Sequence, residues 1–474
     1  MAEKRFDVCV IGAGSGGLST AYGASHMGAR VALIEGHKMG GDCLNFGCVP
    51  SKALLAAGHT AHAMRHADQF GVKSVEPEVG FAAVNRHVKA AIATIEPNDS
   101  VERYQGFGID VITAHARFTG PDTVEAGGRT IRARRFVVAT GSRAAVPPIP
   151  GLDQVPYFTN ETIFDSTEKP EHLLIIGGGP IGSEMAQAHR QLGCRVTIVD
   201  MGPILPKDDQ ELVAVVKQSM IDDGVELLEN VAIKAISGQA GAIAITYERD
   251  GAAHEIEGSH LLVAAGRKPN VDDLGLEAAG IEFDRFGIKV SNRLRSVSNS
   301  KVYAIGDCAG GYQFTHLANY HAGIVIRNIL LRIPAKVSLA ALPWVTYTDP
   351  ELAHVGLTEA DAQKAHGEVT VLRFPYHEND RAIAERRTEG LVKVVTTPKG
   401  KILGASIVGA NAGELIQPWI LAISSGLKIG AMAGMISPYP TMGEINKRAA
   451  GSFYTPKVFG EGMKRVVRLL AKFG

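Results

Sequence analysis

The chain has 474 residues, 45% hydrophobic and 21% charged, the balance of a globular protein of three or four domains at roughly 100–200 residues each. Its 49 Lys plus Arg match its 49 Asp plus Glu, which removes the electrostatic case for nucleic acid as a main partner. Five cysteines are too few for a secreted disulfide framework. Phe6 to Ile11 reads as a strand with no charged region and apolar run before it, so a cytoplasmic protein is expected.

That first strand runs into Gly12-Ala13-Gly14-Ser15-Gly16-Gly17, a GxGxxG. Gly12, Gly14 and Gly17 permit a tight turn and let backbone N–H groups reach a pyrophosphate. Leu18 to His26 then forms a helix whose N-terminus faces that anion. The next strand, Val31 to Ile34, ends at Glu35, which can accept bonds from a ribose.

Gly40 to Lys52 follows, with Cys43 and Cys48 five positions apart. Five residues of regular helix rise roughly 7.5 Å, more than the Cα separation of about 7 Å that a disulfide tolerates. If these cysteines pair, the segment cannot be ideal helix. Gly40, Gly41 and Gly47 supply freedom, and Pro50 starts or kinks the next helix. Cys48 then lies near a helix N-terminus, which favours a thiolate. Cys9, Cys194 and Cys308 read as buried free thiols.

A second dinucleotide unit begins at Leu173 to Ile176. It continues through Gly177, Gly179 and Gly182 to the strand Val196 to Val199 and ends at Asp200. Gly12 to Glu35 and Gly177 to Asp200 both span 23 positions. Two such units suit a chain that passes electrons from one dinucleotide to another. Asp200 favours the free 2′-OH of NADH and repels a 2′-phosphate, and Met201, Gly202 and Pro203 offer no Arg to bind one.

Further on, Trp419 to Ile436 is apolar, with Gly426, Gly430 and Gly434 at GxxxG spacing, but Lys428 at its middle argues for a buried helix pair over a membrane span. Met463 to Phe473 is basic and amphipathic. Packing on its own dimer is the expectation, with an anionic membrane surface or an acidic partner as the alternative.

Cys43-Leu44-Asn45-Phe46-Gly47-Cys48-Val49-Pro50-Ser51-Lys52 resembles the active-site segment of the class I pyridine nucleotide–disulfide oxidoreductases, which include dihydrolipoamide dehydrogenase, glutathione reductase and mercuric reductase. Val138 to Ser142, with Thr140 and Gly141, resembles the family's ATG crossover. Gly266-Arg267-Lys268-Pro269-Asn270 resembles its GRxPN turn. Ala304-Ile305-Gly306-Asp307 resembles its second FAD motif, and Pro343 to Leu357 the opening of its dimerisation domain.

The resemblance implies an α/β fold with two Rossmann-type dinucleotide-binding domains, glutathione reductase-like, plus a C-terminal α+β dimerisation domain. The expected boundaries are 1–150 for the FAD-binding domain, 151–270 for the NAD-binding domain, 271–340 for a central segment completing the FAD site and 341–474 for dimerisation. FAD and NAD are the implied cofactors, with Gly41, Gly266, Arg267, Gly306, Asp307 and Thr315 among the positions that hold them. Cys43 is implied as the interchange thiol and Cys48 as the flavin-proximal thiol. Lys52 is placed near flavin N5, paired with Glu184. NADH then reduces FAD, which opens a Cys43–Cys48 disulfide. Cys43 passes the electrons to a small disulfide, a lipoyl-protein or a soft metal ion. The implied assembly is a homodimer with shared active sites.

Two departures stand out. The family's His-Pro-Thr-x-x-Glu is here Tyr439-Pro440-Thr441-Met442-Gly443-Glu444, and a Tyr is a poor base at neutral pH. Mercuric reductases also have Tyr there, but they end in a vicinal Cys-Cys and carry an N-terminal metal-capture extension, neither of which is seen in this sequence. Asp42 stands where the family usually has Thr, and a carboxylate beside Cys43 raises a thiol pKa. His316, His321 and His377 are candidate substitutes for the missing base, with structural roles expected of all three. The leading expectation is a dihydrolipoamide dehydrogenase-like enzyme. A mercuric reductase-like metal ion reductase and a slow-turnover redox sensor acting through a protein partner are the alternatives.

Overall fold

The computed structural model describes residues 5–473. They divide into two compact units, one of residues 5–177, 191–199 and 231–337, the other of 178–190, 200–230 and 338–473.

The first unit is built on parallel strands. Phe6–Ile11 pairs in parallel with Val31–Glu35 on one side and with Arg129–Val138 on the other, and Val302–Ala304 extends the far edge of Arg129–Val138. Asp110–Thr113 pairs in parallel beyond Val31–Glu35. Cys9, Val10, Leu33 and Val137 are fully buried, as expected of strands covered on both faces. The helix Ser15–His26 begins at the second half of the glycine loop, three residues earlier than the sequence pattern suggests. A second parallel set places His172–Ile176 between Arg195–Val199 and His260–Val263. The crossover motifs are joined directly: strand Ser142–Ala144 pairs antiparallel with Arg267–Pro269.

The second unit carries a five-stranded antiparallel sheet, ordered Pro343–Thr346, Glu351–Gly356, Ile402–Gly409, Leu391–Thr396, Thr370–Pro375. Trp419 packs in its core with its indole N–H donated to Asn446 at 2.8 Å, and Asn446 in turn donates to the Leu415 carbonyl. The glycine-spaced stretch folds as two short helices, Gln417–Ser424 and Ile429–Gly434, with Lys428 outside them. A Cβ on Gly430 would come within 2.8 Å of the Tyr454 hydroxyl, so the close packing is real there. Among the described residues no helix is long and apolar enough to cross a membrane.

One buried cation organises this unit's surface edge. Lys393 sits in the strand Leu391–Thr396 with its side chain only 5% exposed. Its ammonium reaches Asp209 at 2.5 Å and Glu211 and Glu359 at 2.8 Å each. Arg373 forks onto the same Glu211 at 2.6 and 2.8 Å.

Candidate active site

The two glycine loops are built alike. Gly12 has φ 103°, and a Cβ there would lie 2.4 Å from the Ala139 carbonyl oxygen; on Gly17 it would lie 1.8 Å from that of Gly12. Gly177 repeats the first contact, with φ 108° and the Ala264 oxygen at 2.5 Å. Gly14 and Gly179 face open space, except that Gly41 closes on Gly14. No side chain caps the helix Ser15–His26 at Gly14, so its first N–H groups remain suited to a phosphate. Glu35 accepts the Ala13 N–H at 2.6 Å and the His37 N–H at 2.7 Å. Asp200 accepts the Gly178 N–H at 2.6 Å and the Gly202 N–H at 2.8 Å. Each carboxylate therefore clamps its own loop and keeps lone pairs for ribose hydroxyls. Gly182 lies within the helix Pro180–Gln191.

The cysteine segment breaks as its spacing requires. Cys43 lies in the short helix Gly41–Asn45 and Cys48 opens the helix Cys48–Arg65, with the turn at Phe46 and Gly47. A Cβ on Gly47 would come 2.8 Å from an Asp42 carboxylate oxygen. Both thiols are free and share a hydrogen bond that divides their chemistry. Cys48 is pushed down to about 6 by that bond and, further, by the Thr315 hydroxyl at 3.3 Å and the charge of Lys52, against the opposing effect of burial. Cys43, which holds the proton, is driven far above the ordinary thiol range by the same bond and by burial. At neutral pH the charge rests on Cys48.

Asp42 is tied down in a way the sequence does not reveal. It accepts from Asn160 Nδ2 at 2.9 Å and pairs with Arg267 at 3.0 Å. Arg267 also donates to Ser142 Oγ at 2.7 Å, and Ser142 donates to Asp307 at 2.5 Å. Burial raises the Asp307 carboxyl above its usual range. Thr140 and Asn270 exchange bonds, Oγ1 to carbonyl at 2.6 Å and Nδ2 to carbonyl at 2.9 Å, which fixes Gly141 and Gly266 beside this network. The glycine cradle, the uncapped helix and the buried Asp307 together fit an FAD.

Of the candidate bases, His321 is structural. Its Nδ1 accepts the Gly306 N–H at 3.2 Å, and burial lowers it to about 4. His316 stacks on Phe314, and His377 is exposed. In the second unit Glu184 is buried and accepts the Tyr347 N–H at 3.0 Å. Tyr439, 68% exposed, donates its hydroxyl to Asp380 at 2.8 Å, which raises its pKa further. Glu444 opens the helix Glu444–Gly451 and pairs with Arg448.

Two dinucleotide loops and a dithiol with one acidic member define a nucleotide-linked dithiol oxidoreductase. Residues 6–322 match the family described as pyridine nucleotide-disulphide oxidoreductase, and residues 342–450 match its dimerisation domain. The chain belongs to the class I pyridine nucleotide-disulfide oxidoreductases, which use FAD and a pyridine nucleotide. It is 35% identical to mercuric reductase of Lysinibacillus sphaericus, over 95% of this chain and 83% of that one. It is 34% identical to dihydrolipoyl dehydrogenase of Geobacillus stearothermophilus, over 94% and 95%. Its fold is similar to the HOCl-induced flavoprotein disulfide reductase RclA of Escherichia coli, solved as a Cu(II) complex, with TM-score 0.84, 26% identity and coverage of 93% of this chain and 99% of that one.

Proposed function

We propose that the protein is a cytoplasmic, NADH-dependent disulfide oxidoreductase of dihydrolipoamide dehydrogenase type, working through Cys43 and Cys48 as a homodimer with shared active sites. The observation that carries the reading is the pair of free thiols brought together across the helix break, with Cys48 at the start of its helix and 3.3 Å from the Thr315 hydroxyl. When bound, FAD relays electron pairs between nicotinamide and the dithiol. The first glycine loop, Glu35, Asp307 and Thr315 are the groups to hold it, with Lys52 beside the ring. The second loop and Asp200 hold the nucleotide. We assign residues 1–150, 151–270, 271–340 and 341–474 to FAD binding, NAD binding, completion of the FAD site and dimerisation.

Attack by Cys43 on a disulfide requires its proton to leave. Tyr439 stays protonated at neutral pH and is not the base that the family's His provides. The hydrogen bond to Cys48 offers another route: the Cys48 thiolate takes the proton as the Cys43 sulfur forms the mixed disulfide and the leaving thiolate departs. The absence of an imidazole at Tyr439 also favours a second reading, reduction of a soft metal ion held by the two sulfurs, where no leaving group needs a proton. Steady-state NADH oxidation against lipoamide, glutathione disulfide and Hg(II) decides between them. Negligible turnover with all three would overturn both and favour a redox sensor.

Cofactor choice is a separate expectation. NADH exceeds NADPH in kcat/KM by at least about tenfold, because Asp200 offers a ribose acceptor and repels phosphate. Asp200→Asn keeps one acceptor oxygen for the loop, loses the charge and narrows the ratio. Equal use of both nucleotides by the native protein would refute this role.

Tyr439→Phe keeps the ring and loses the hydroxyl. It lowers acceptor turnover by about tenfold and leaves reduction of the flavin by NADH unchanged. Tyr439→His restores the family base and raises lipoamide turnover above the native level. Rapid-mixing kinetics separates the two half-reactions, and equal slowing of both by Tyr439→Phe would defeat the shared-site assignment.

A further inference from the structure

The C-terminal helix Glu461–Leu470 has no buried residue. Met463, Val466, Val467, Leu470 and Phe473 are all exposed, Phe473 by 81%. At 100° per residue Met463, Val466, Val467 and Leu470 share one face and Lys464, Arg465 and Arg468 the other, with Lys472 and Phe473 following just past the helix end. Glu461 is the helix's lone acid and is already paired with Lys464 at 2.8 Å. Just before the helix, Phe459 is 70% exposed next to the short turn Thr455–Val458, which adds Lys457. All of this lies beyond residue 450, where the match to the dimerisation domain stops. Apolar side chains in such a row lose hydrophobic stabilisation unless something covers them.

We infer that this helix lies on an anionic lipid bilayer, its apolar face sunk into the headgroup boundary and its basic side chains reaching the phosphates. Charge decides the occupant. The helix and the residues just after it carry four basic side chains against one acid, a charge that a second copy does not complement and an anionic surface does. A bilayer surface matches both faces at once: Val467 and Leu470 enter the acyl boundary, and the long stems of Lys464 and Arg468 lie along apolar surface with their charges in the headgroup layer. The whole chain is neutral and this segment, 461–474, carries four basic residues against one acid, so the rest of the chain is net negative and binding rests on this segment. Each basic residue near an anionic surface adds about a fivefold gain in affinity. Contact is therefore peripheral and reversible, and it brings the dithiol chemistry to the membrane surface without a spanning segment.

The test uses the full-length, FAD-loaded protein and sedimentation with vesicles. Phosphatidylcholine vesicles containing about one-third phosphatidylglycerol carry it down; pure phosphatidylcholine vesicles do not; raising salt releases it. Val467→Asp with Leu470→Asp lowers the bound fraction by about tenfold or more, and so does Lys464→Glu with Arg468→Glu. Flavin content and NADH oxidation stay unchanged in both, since neither pair touches the redox site. Failure of the native protein to bind anionic vesicles overturns the inference. So does equal binding to neutral vesicles. A change of oligomeric state in the Val467→Asp, Leu470→Asp variant without vesicle binding by the native protein would show instead that a second copy covers the face. Capture of a defined acidic peptide with no vesicle binding would assign the face to a protein.

Discussion

Cys48→Ser and Cys43→Ser each lower NADH-dependent turnover of any thiol-dependent acceptor by about three orders of magnitude or more, because each removes one sulfur of a two-sulfur reaction. The two variants differ in a way that tests the assignment. Cys43→Ser leaves a hydroxyl to donate to Cys48, so the Cys48 thiolate persists and gives a long-wavelength absorbance against oxidised flavin without any reductant. Cys48→Ser shows none. In the reduced native protein the same band titrates with a midpoint at about 6, present above that pH and lost below it as Cys48 takes up a proton. Since Cys48 is lowered from its ordinary value of 9.0, its charged form also favours the fold. That contribution is fully present above about 9 and is lost as pH falls through about 6. Cys43→Ala removes the largest cause of the shift and moves the midpoint up. Asp42→Asn removes a charge that opposes the thiolate and moves it down. A spectrophotometric titration reads both. A band of equal strength in Cys48→Ser would reverse the roles, and a midpoint unmoved by Cys43→Ala would sink the shared-proton account.

Much of this site is legible in sequence because its parts are local. The 23-residue spacing that ends at Glu35 and at Asp200 reappears as one repeated hydrogen-bond pattern, each carboxylate gripping the second residue of its loop and the residue two places beyond itself. The five-residue cysteine spacing demands a broken helix, and the break falls at Phe46 and Gly47. What stays hidden depends on long-range packing. Thr315 reaches Cys48 across 267 positions, and Asn160 reaches Asp42 across 118. No periodicity encodes such a pair. Asp42 therefore reads as a bare carboxylate beside a thiol, whereas folding gives it Asn160 and Arg267 and spends part of its charge on a network that also holds Ser142 and Asp307. His321 is the converse. Its structural role is expected from sequence, but the partner that gives it one, the Gly306 N–H, comes from packing.

The Lys393 cluster is equally silent in sequence, and its removal has the largest expected effect on stability. Asp209, Glu211 and Glu359 bring carboxylate oxygens within 4.8 Å of one another. The Lys393 ammonium sits among them where a cation would be needed, and Arg373 covers only Glu211 strongly, at 2.6 and 2.8 Å. Lys393→Met keeps the buried stem and deletes the charge, leaving three acids against one arginine. Only the lysine is deeply buried, while Glu211 and Arg373 are 37% and 46% exposed, so deleting the charge costs less than the about 3–5 kcal/mol of breaking a fully buried pair, a loss that thermal or urea unfolding of the full chain registers at neutral pH. The pH dependence separates charge from packing. In the native protein Glu211 is pushed down to about 2, first by the Arg373 fork and then by Lys393. Its contribution is full above its ordinary 4.5 and is lost as pH falls through about 2. Without Lys393 the Glu211 carboxylate loses a cationic partner and faces two like charges, so its pKa rises and protonation relieves the repulsion at milder acidity than in the native chain. The stability gap between native and Lys393→Met therefore narrows as pH is lowered from neutrality toward about 4. A gap that stays constant over that range would place the loss in packing around the lysine stem, and a gap near zero at neutral pH would mean that the cluster is solvated and contributes no more than a surface pair.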